Sequence, residues 1–344
     1  MGIGNIPARK RGFGYDPVTR SLGIYTDGQL TASFPPTPGR TYFVNNITGA
    51  STNDGLSWGT AMDQVTTAIT ASTTYRELGG VESGSAVSTN DYVRNTIVIQ
   101  GTGTAYTYLV DMGRHHSIVG ICSPTGGMGA GTSYGGVRLG ADTSNTTGGF
   151  VSTAADAQRT YGVYLANLKF QSGDASSCFS PYKFEESCIE DCTMNVSSSA
   201  SATPDSFIEI QASGSSDSSF FRRLHTGSQS AIIDRPAYGF KVSSVYFINT
   251  IVEDCMICAA TAGWYNTATL LYGYGSVIRN NFFGTLGHGV LATGIVDGST
   301  RTLENGGLLT FYHNTIQAIA SDAVPAEATR FINNRDDTGE LKTA

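Results

Sequence analysis

Two short stretches of the chain carry nearly the same side chains: Cys188-Ile189-Glu190-Asp191-Cys192, and Ile251-Val252-Glu253-Asp254-Cys255 followed by Cys258. Three chemistries use such residues. Two carboxylates, one protonated and one ionised, hydrolyse glycosides when about 5–10 Å apart. A Cys-x-x-Cys pair such as Cys255 and Cys258 binds zinc when a second close pair or histidines complete the tetrahedron. Alternatively, the stretches are two copies of one structural strand. A further candidate is His288 in Gly287-His288-Gly289, and a cluster of cations, Arg9, Lys10, Arg11 and Arg20, stands near the start.

The elements that must position these residues decide among the readings. Four more segments share the same grammar: Tyr164–Phe170, Phe220–Thr226, Val277–Phe283 and Thr310–Ile316. Their second positions are Leu165, Ile189, Phe221, Val252, Ile278 and Phe311. Their fourth positions, 167, 191, 223, 254, 280 and 313, recur at unequal steps of 24 to 33 residues. Unequal steps do not suit helical hairpin repeats and do suit coils of short strands with loops of different length. Within a segment the second residue points in and the third out. The fourth sits at a bend where Asn or Asp favours left-handed backbone, and the fifth returns inward. The fifth position reads Leu168, Cys192, Leu224, Cys255, Asn281 and Asn314, an interior column that ends in an asparagine stack.

On that ladder the acidic residues have a structural role. The outward third position runs Glu190, Arg222, Glu253, Arg279, a column of alternating sign if neighbouring strands lie about 4.8 Å apart. An arginine between two glutamates holds both ionised, which is wrong for a general acid. The cysteines exchange with leucine at one position, so they read as buried, reduced thiols. No catalytic residue, metal ligand or cofactor is assigned.

With 42 glycines in 344 residues and only 14% charged side chains, the composition favours turns and strands over exposed helices. A net charge of −7 argues against a nucleic-acid grip, and no apolar run is long enough to span a bilayer. The first residues lack the apolar core of a secretory signal, so synthesis and folding in a cytoplasm are expected. The sequons at Asn46, Asn145 and Asn195 are read as chance matches.

The rung Ile278-Arg279-Asn280-Asn281-Phe282-Phe283, with the lead-in segment 41–69 (strand, Asn/Gly/Asp loop, Trp58-Gly59-Thr60-Ala61, short amphipathic helix), resembles the pectin-lyase-like superfamily. The resemblance covers about 41–320. It implies an all-β fold, a right-handed parallel β-helix of about eight coils between 95 and 320, in which the helix caps the open end of the stack. Stretches 95–101 and 117–121 read as first rungs. Enzymes of the superfamily carry Asn-Thr-Asp, Asp-Asp, Gly-His-Gly and Arg-Ile-Lys in order, or a calcium-binding acidic cluster. Here only the His288 triplet matches, so no glycosidase or polysaccharide lyase activity is expected from the resemblance.

Residues 1–40 stand outside the ladder. The first twenty carry +3, leaving −10 on the remainder. Asp16-Pro17 and Asp27-Gly28 are turn signals between short alternating runs, which predicts a small β-ribbon, and Pro35, Pro36 and Pro38 stiffen the link to the body. The expected organisation is an attachment arm at 1–40, the β-helix at 41–320 and a polar tail at 321–344. A basic arm on an acidic β-helix looks like a tailed-phage virion protein. That resemblance implies a structural capsid decoration protein on the virion surface, a homotrimer bound to the major capsid protein or another virion protein through Arg9, Lys10, Arg11 and Arg20. Neither nucleic acid nor membrane is an expected partner. The alternative is a tailspike or receptor-binding protein that recognises or depolymerises a host glycan.

Overall fold

The computed structural model describes residues 11–16, 21–26, 29–33, 39–78, 94–109, 111–121, 137–140, 148–152, 159–172, 176–196, 205–228, 236–268, 271–284, 293–297, 309–317, 329–336 and 338–341. Its body is all-β, with four parallel sheets of ten, eight, six and four strands and one α-helix among the described residues. We call the sheets walls 1 to 4. The chain visits them in turn: Tyr164–Ala166 in wall 1, Leu168–Ser172 in wall 2, Phe179–Ser180 in wall 3, Lys183–Glu185 in wall 4, then Cys188–Glu190 in wall 1 again. Each strand pairs in parallel with the strand of the same wall one circuit earlier, a winding compatible with a parallel β-helix.

Wall 1 begins with β4 (Thr41–Val44), β5 (Asn95–Gln100) and β6 (His116–Ile121). Seven rungs follow: rung 1 is Tyr164–Ala166, rung 2 Cys188–Glu190, rung 3 Phe220–Arg222, rung 4 Ile251–Glu253, rung 5 Ser276–Arg279, rung 6 Leu309–Tyr312 and rung 7 Thr329–Ile332. Eight of the ten described strands of this wall lie between 95 and 320, in line with the number of coils that the resemblance implies. The ladder also continues past 320, because rung 7 pairs with rung 6 inside the stretch expected to be a tail.

The inward column has the expected register. Leu165, Ile189, Phe221, Val252, Ile278 and Phe311 stand directly opposite one another, and all are fully buried. The core is filled by rings passing contacts along the stack: Phe179 to Phe184, Phe184 to Phe221, Phe221 to Phe240, Phe240 to Phe247, Phe247 to Trp264 and Trp264 to Phe311. Most of these contacts are tilted or edge-to-face, the arrangement ring quadrupoles prefer.

The helix α1 (Val65–Leu78) lies against β4 and β5. Its buried residues Val65, Ala68, Ile69 and Ser72 recur at the spacing of one helical face. Ser72 Oγ lies 2.7 Å from His116 Nδ1 and accepts from Asn95 Nδ2 at 2.7 Å, which ties the helix to the first two long strands. Preceding the body, β1 (Arg11–Asp16), β2 (Ser21–Thr26) and β3 (Gln29–Ser33) form an antiparallel sheet in the order β1-β2-β3, and the expected turn residues Pro17, Asp27 and Gly28 lie outside the described residues. Arg11 opens β1, and its side chain lies outside the described residues, as do Arg9, Lys10 and Arg20.

Candidate functional site

The chemistry-bearing residues sit on wall 1 and at its two corners. At the corner between walls 1 and 2 every rung places one residue in the left-handed region: Asn167, Asp191, Arg223, Asp254, Asn280, His313 and Asn333, all with φ between 50° and 56°. Asn, Asp and His are the side chains most often found in this conformation, and Arg223 is the exception in the column.

The bend turns a backbone N–H and a carbonyl along the stack, away from the sheet ladder, and a side chain of the next rung satisfies both. Asn314 Oδ1 accepts from the Asn281 N–H at 2.9 Å while its Nδ2 donates to the Ile278 carbonyl at 2.9 Å. Asn281 does the same for the Cys255 N–H (2.9 Å) and the Val252 carbonyl (3.0 Å). Asn334 repeats it for Asn314 (2.9 Å) and Phe311 (3.0 Å). Amides also bond to each other, Asn281 Nδ2 to Asn314 Oδ1 at 3.1 Å and Asn314 Nδ2 to Asn334 Oδ1 at 2.9 Å. The expected asparagine stack is present, one member longer than the sequence reading had it.

Cys255 heads this column, and its role departs from the expected equivalence with leucine. Its Sγ accepts from the Leu224 N–H at 3.5 Å, as an asparagine oxygen would, while its one proton has the Glu253 carbonyl of its own rung at 3.2 Å and the Phe221 carbonyl only at 3.7 Å. The thiol is a weaker asparagine there. Cys192 and Cys255 face the same interior column as expected, both buried, and burial pushes the Cys255 thiol up to about 12. Cys178, Cys188, Cys192, Cys255 and Cys258 are unbridged. Among the described residues no three His, Cys, Asp or Glu side chains converge as a metal site would need.

On the outer face Glu190, Arg222, Glu253 and Arg279 stand opposite one another in successive rungs. Ion pairs join rung 2 to rung 3 and rung 4 to rung 5. Arg222 Nε sits 2.6 Å from Glu190 Oε2, though its N–H is not aimed along the contact. Arg223 Nη2 reaches the same oxygen at 2.8 Å, and Arg223 holds Asp191 in a fork of 2.8 and 2.9 Å. Arg279 grips Glu253 Oε2 at 2.9 and 2.5 Å. Tyr164 donates its hydroxyl to Glu190 Oε1.

For Glu190 burial works to raise the pKa, but the Tyr164 hydrogen bond and the two guanidiniums outweigh it, and the net shift is downward. Hydrogen bonding from Arg223 likewise lowers Asp191 against a smaller desolvation effect. Glu190 is therefore held ionised at neutral pH and lacks the raised pKa of a general acid. The Gly287-His288-Gly289 triplet lies outside the described residues. Asn195, one of the sequons, is buried within wall 2.

A second left-handed corner, between walls 4 and 1, escaped the sequence reading. It begins at His115, ahead of β6, and along rungs 1 to 5 consists of Gly162, Glu186, Ser218, Asn249 and Gly275. After each comes a buried residue, Val163, Ser187, Ser219, Thr250 or Ser276, most of which repeat the asparagine solution with a hydroxyl. Ser187 Oγ accepts from the Val163 N–H at 3.0 Å and Ser276 Oγ from the Thr250 N–H at 3.0 Å. Ser276 Oγ also donates to the Phe247 carbonyl at 2.8 Å. Aligning the segments two residues further toward the N-terminus exposes this run of Ser and Thr.

Comparison of the chain with protein-family models, curated proteins and solved structures finds no match in any of the three.

Proposed function

We propose that the chain is a structural protein of a tailed-phage virion, a capsid decoration protein built as a right-handed parallel β-helix of the pectin-lyase-like kind. In this reading it is displayed on the virion surface as a homotrimer, and residues 1–40 anchor it to the major capsid protein or a neighbouring virion protein. The observation that carries the structural reading is the charged wall. Glu190, Asp191 and Glu253, the carboxylates most exposed to a catalytic interpretation, are each bound by arginine. Such pairs knit successive rungs together, and at Glu190 and Asp191 they hold the carboxylate ionised at neutral pH.

Support for the anchor comes from the separate antiparallel sheet that precedes the stack and from the cations Arg9, Lys10, Arg11 and Arg20, which oppose the net charge of the remainder. Long-range attraction between a basic arm and an acidic lattice is screened by salt. Particles assembled with the chain lacking 1–40 are expected to lose it while the free truncated protein keeps its β circular dichroism. Replacing Arg9, Lys10 and Arg11 by Ala is expected to lower occupancy more at low salt than at high, where the attraction is already screened. Density at the tail tip in particle images, with release of sugar ends from host polysaccharide, would transfer the assignment to the tailspike reading. Absence of the chain from particles would end both.

A further inference from the structure

Walls 1 and 2 end differently at the C-terminal end of the stack. Rung 7 pairs with rung 6 along one edge, and no described strand pairs with its other edge. The last strand of wall 2, Arg335–Asp336, pairs with Thr315–Ile316 on one side, and the chain then turns back so that Leu341 pairs antiparallel with Arg335 on the other. That turn is held by the Asp336 N–H donating to the Glu340 carbonyl at 2.8 Å and by Arg335 Nη1 donating to the Gly339 carbonyl at 2.6 Å. Wall 2 is closed by the chain itself, and wall 1 presents an edge.

The polar column stops at the same level. Each asparagine serves the rung before it, and Asn334 takes the Asn314 N–H and the Phe311 carbonyl. By that rule the next member would take the Asn334 N–H and the Phe331 carbonyl. Among the described residues no side chain does so, although Asn334 is fully buried. A buried backbone N–H without an acceptor is rare in folded proteins. The apolar column is cut off there too. Phe311 is fully buried, whereas Phe331, directly opposite it, is only partly covered, and Ile332 is 40% exposed.

We propose that this end accepts a strand from a partner protein: an extended segment lying parallel to rung 7, with an apolar residue and, three positions on, an asparagine. An unpaired strand edge is satisfied by another backbone in extended form. Phe331 asks for an apolar side chain above it, as Phe311 has Phe331. The Asn334 N–H and the Phe331 carbonyl together ask for one side chain that both accepts and donates. Within this chain asparagine fills that place three residues after an inward apolar side chain at Ile278 and Asn281, at Phe311 and Asn314, and at Phe331 and Asn334. Because Leu341 already occupies the edge of wall 2, the guest extends wall 1 and leaves at the corner, a single strand and not a further coil.

The inference does not rest on the virion reading and is tested on the free full chain. The probe is a synthetic peptide copying Ser276–Phe282, which would bring Ile278 over Phe331 and Asn281 over Asn334. Fluorescence anisotropy of the labelled peptide should show saturable binding. At saturation the Asn334 amide should exchange hydrogen about tenfold more slowly or better, having gained an acceptor. The same peptide carrying Asn281→Ala should bind about fivefold more weakly or worse, the net worth of one hydrogen bond, and leave the Asn334 amide unchanged. Absence of saturable binding up to the solubility of the peptide overturns the proposal, as does equal binding of the two peptides. An Asn334 amide as protected as that of Asn314 in the dilute free chain would show the end closed by the chain's own residues, and protection that rises with protein concentration alone would give it to a second copy; either result also overturns the proposal.

Discussion

Substituting Asn314 by Ala tests whether the polar column holds the stack together. Four hydrogen bonds pass through this amide, but they are not equally exposed to loss. Asn281 Nδ2 keeps the Val252 carbonyl, and Asn334 Oδ1 keeps the Asn314 N–H. The Asn281 N–H loses its acceptor and the Ile278 carbonyl loses a donor, both in fully buried surroundings. At about 1–3 kcal/mol for each buried polar group stranded, the expected loss is about 2–6 kcal/mol. Rungs contact chiefly their neighbours, so the damage should concentrate between rungs 5 and 7. Urea unfolding measures the loss, and amide hydrogen exchange locates it. The Asn281 amide should exchange much faster than in the unaltered chain, while amides of rungs 1 and 2 keep their protection. A loss below about 1 kcal/mol, within the ordinary net worth of one hydrogen bond, or unchanged protection at Asn281, would refute the reasoning.

Three further outcomes are expected. Cys255→Asn should extend the amide column by one rung and be at least as stable as the unaltered chain, whereas Cys255→Leu should cost about 1 kcal/mol by stranding the Leu224 N–H; thermal unfolding ranks the three. Because the folded pKa values of Glu190 and Asp191 lie below their ordinary values, their contribution to stability is complete above the ordinary carboxylate range. That contribution is lost as pH falls through the lowered values, below about pH 4. Glu190→Gln should therefore flatten the acid limb of a plot of urea midpoint against pH. Gly275, at φ +74°, has no room for a side chain, since a Cβ there would lie 2.1 Å from Asn249 Oδ1. Gly275→Ala should cost about 1–3 kcal/mol from strained backbone, and more before Asn249 is shortened to Ala than after, as denaturation of single and double variants would show.

Much of the stack was legible from the order of side chains alone. A coil repeats the same in-out alternation and the same bend, so six segments could be brought into register without coordinates, and the pairing of Leu165 through Phe311 follows that register residue by residue. The bend was legible because short polar side chains mark left-handed backbone, and the charge column because outward positions on paired strands must face one another. The seventh rung was also written in the chain, as Phe331-Ile332-Asn333-Asn334, but Asn334 follows Asn314 by 20 residues, a shorter step than the others, in a stretch whose polarity resembled a tail.

What the order of residues could not decide is what each polar group does once the rungs are stacked. Cysteine and leucine alternate at one position, and only the stacked backbone shows that Cys255 accepts from an N–H of the rung before it. Glutamate and arginine alternate on the wall, yet which guanidinium reaches which carboxylate depends on side-chain reach between rungs. Arg223, a corner residue, forks Asp191 and shares Glu190. The left-handed residues of the second corner are as varied as Glu186, Ser218 and Gly275, and its one mark in the sequence is the Ser or Thr that follows most of them. Local sequence determines alternation and bending because those are properties of a few consecutive residues. Hydrogen-bond partners and ion pairs are set by residues some 20 to 35 positions apart, and they exist only when the coils lie on one another.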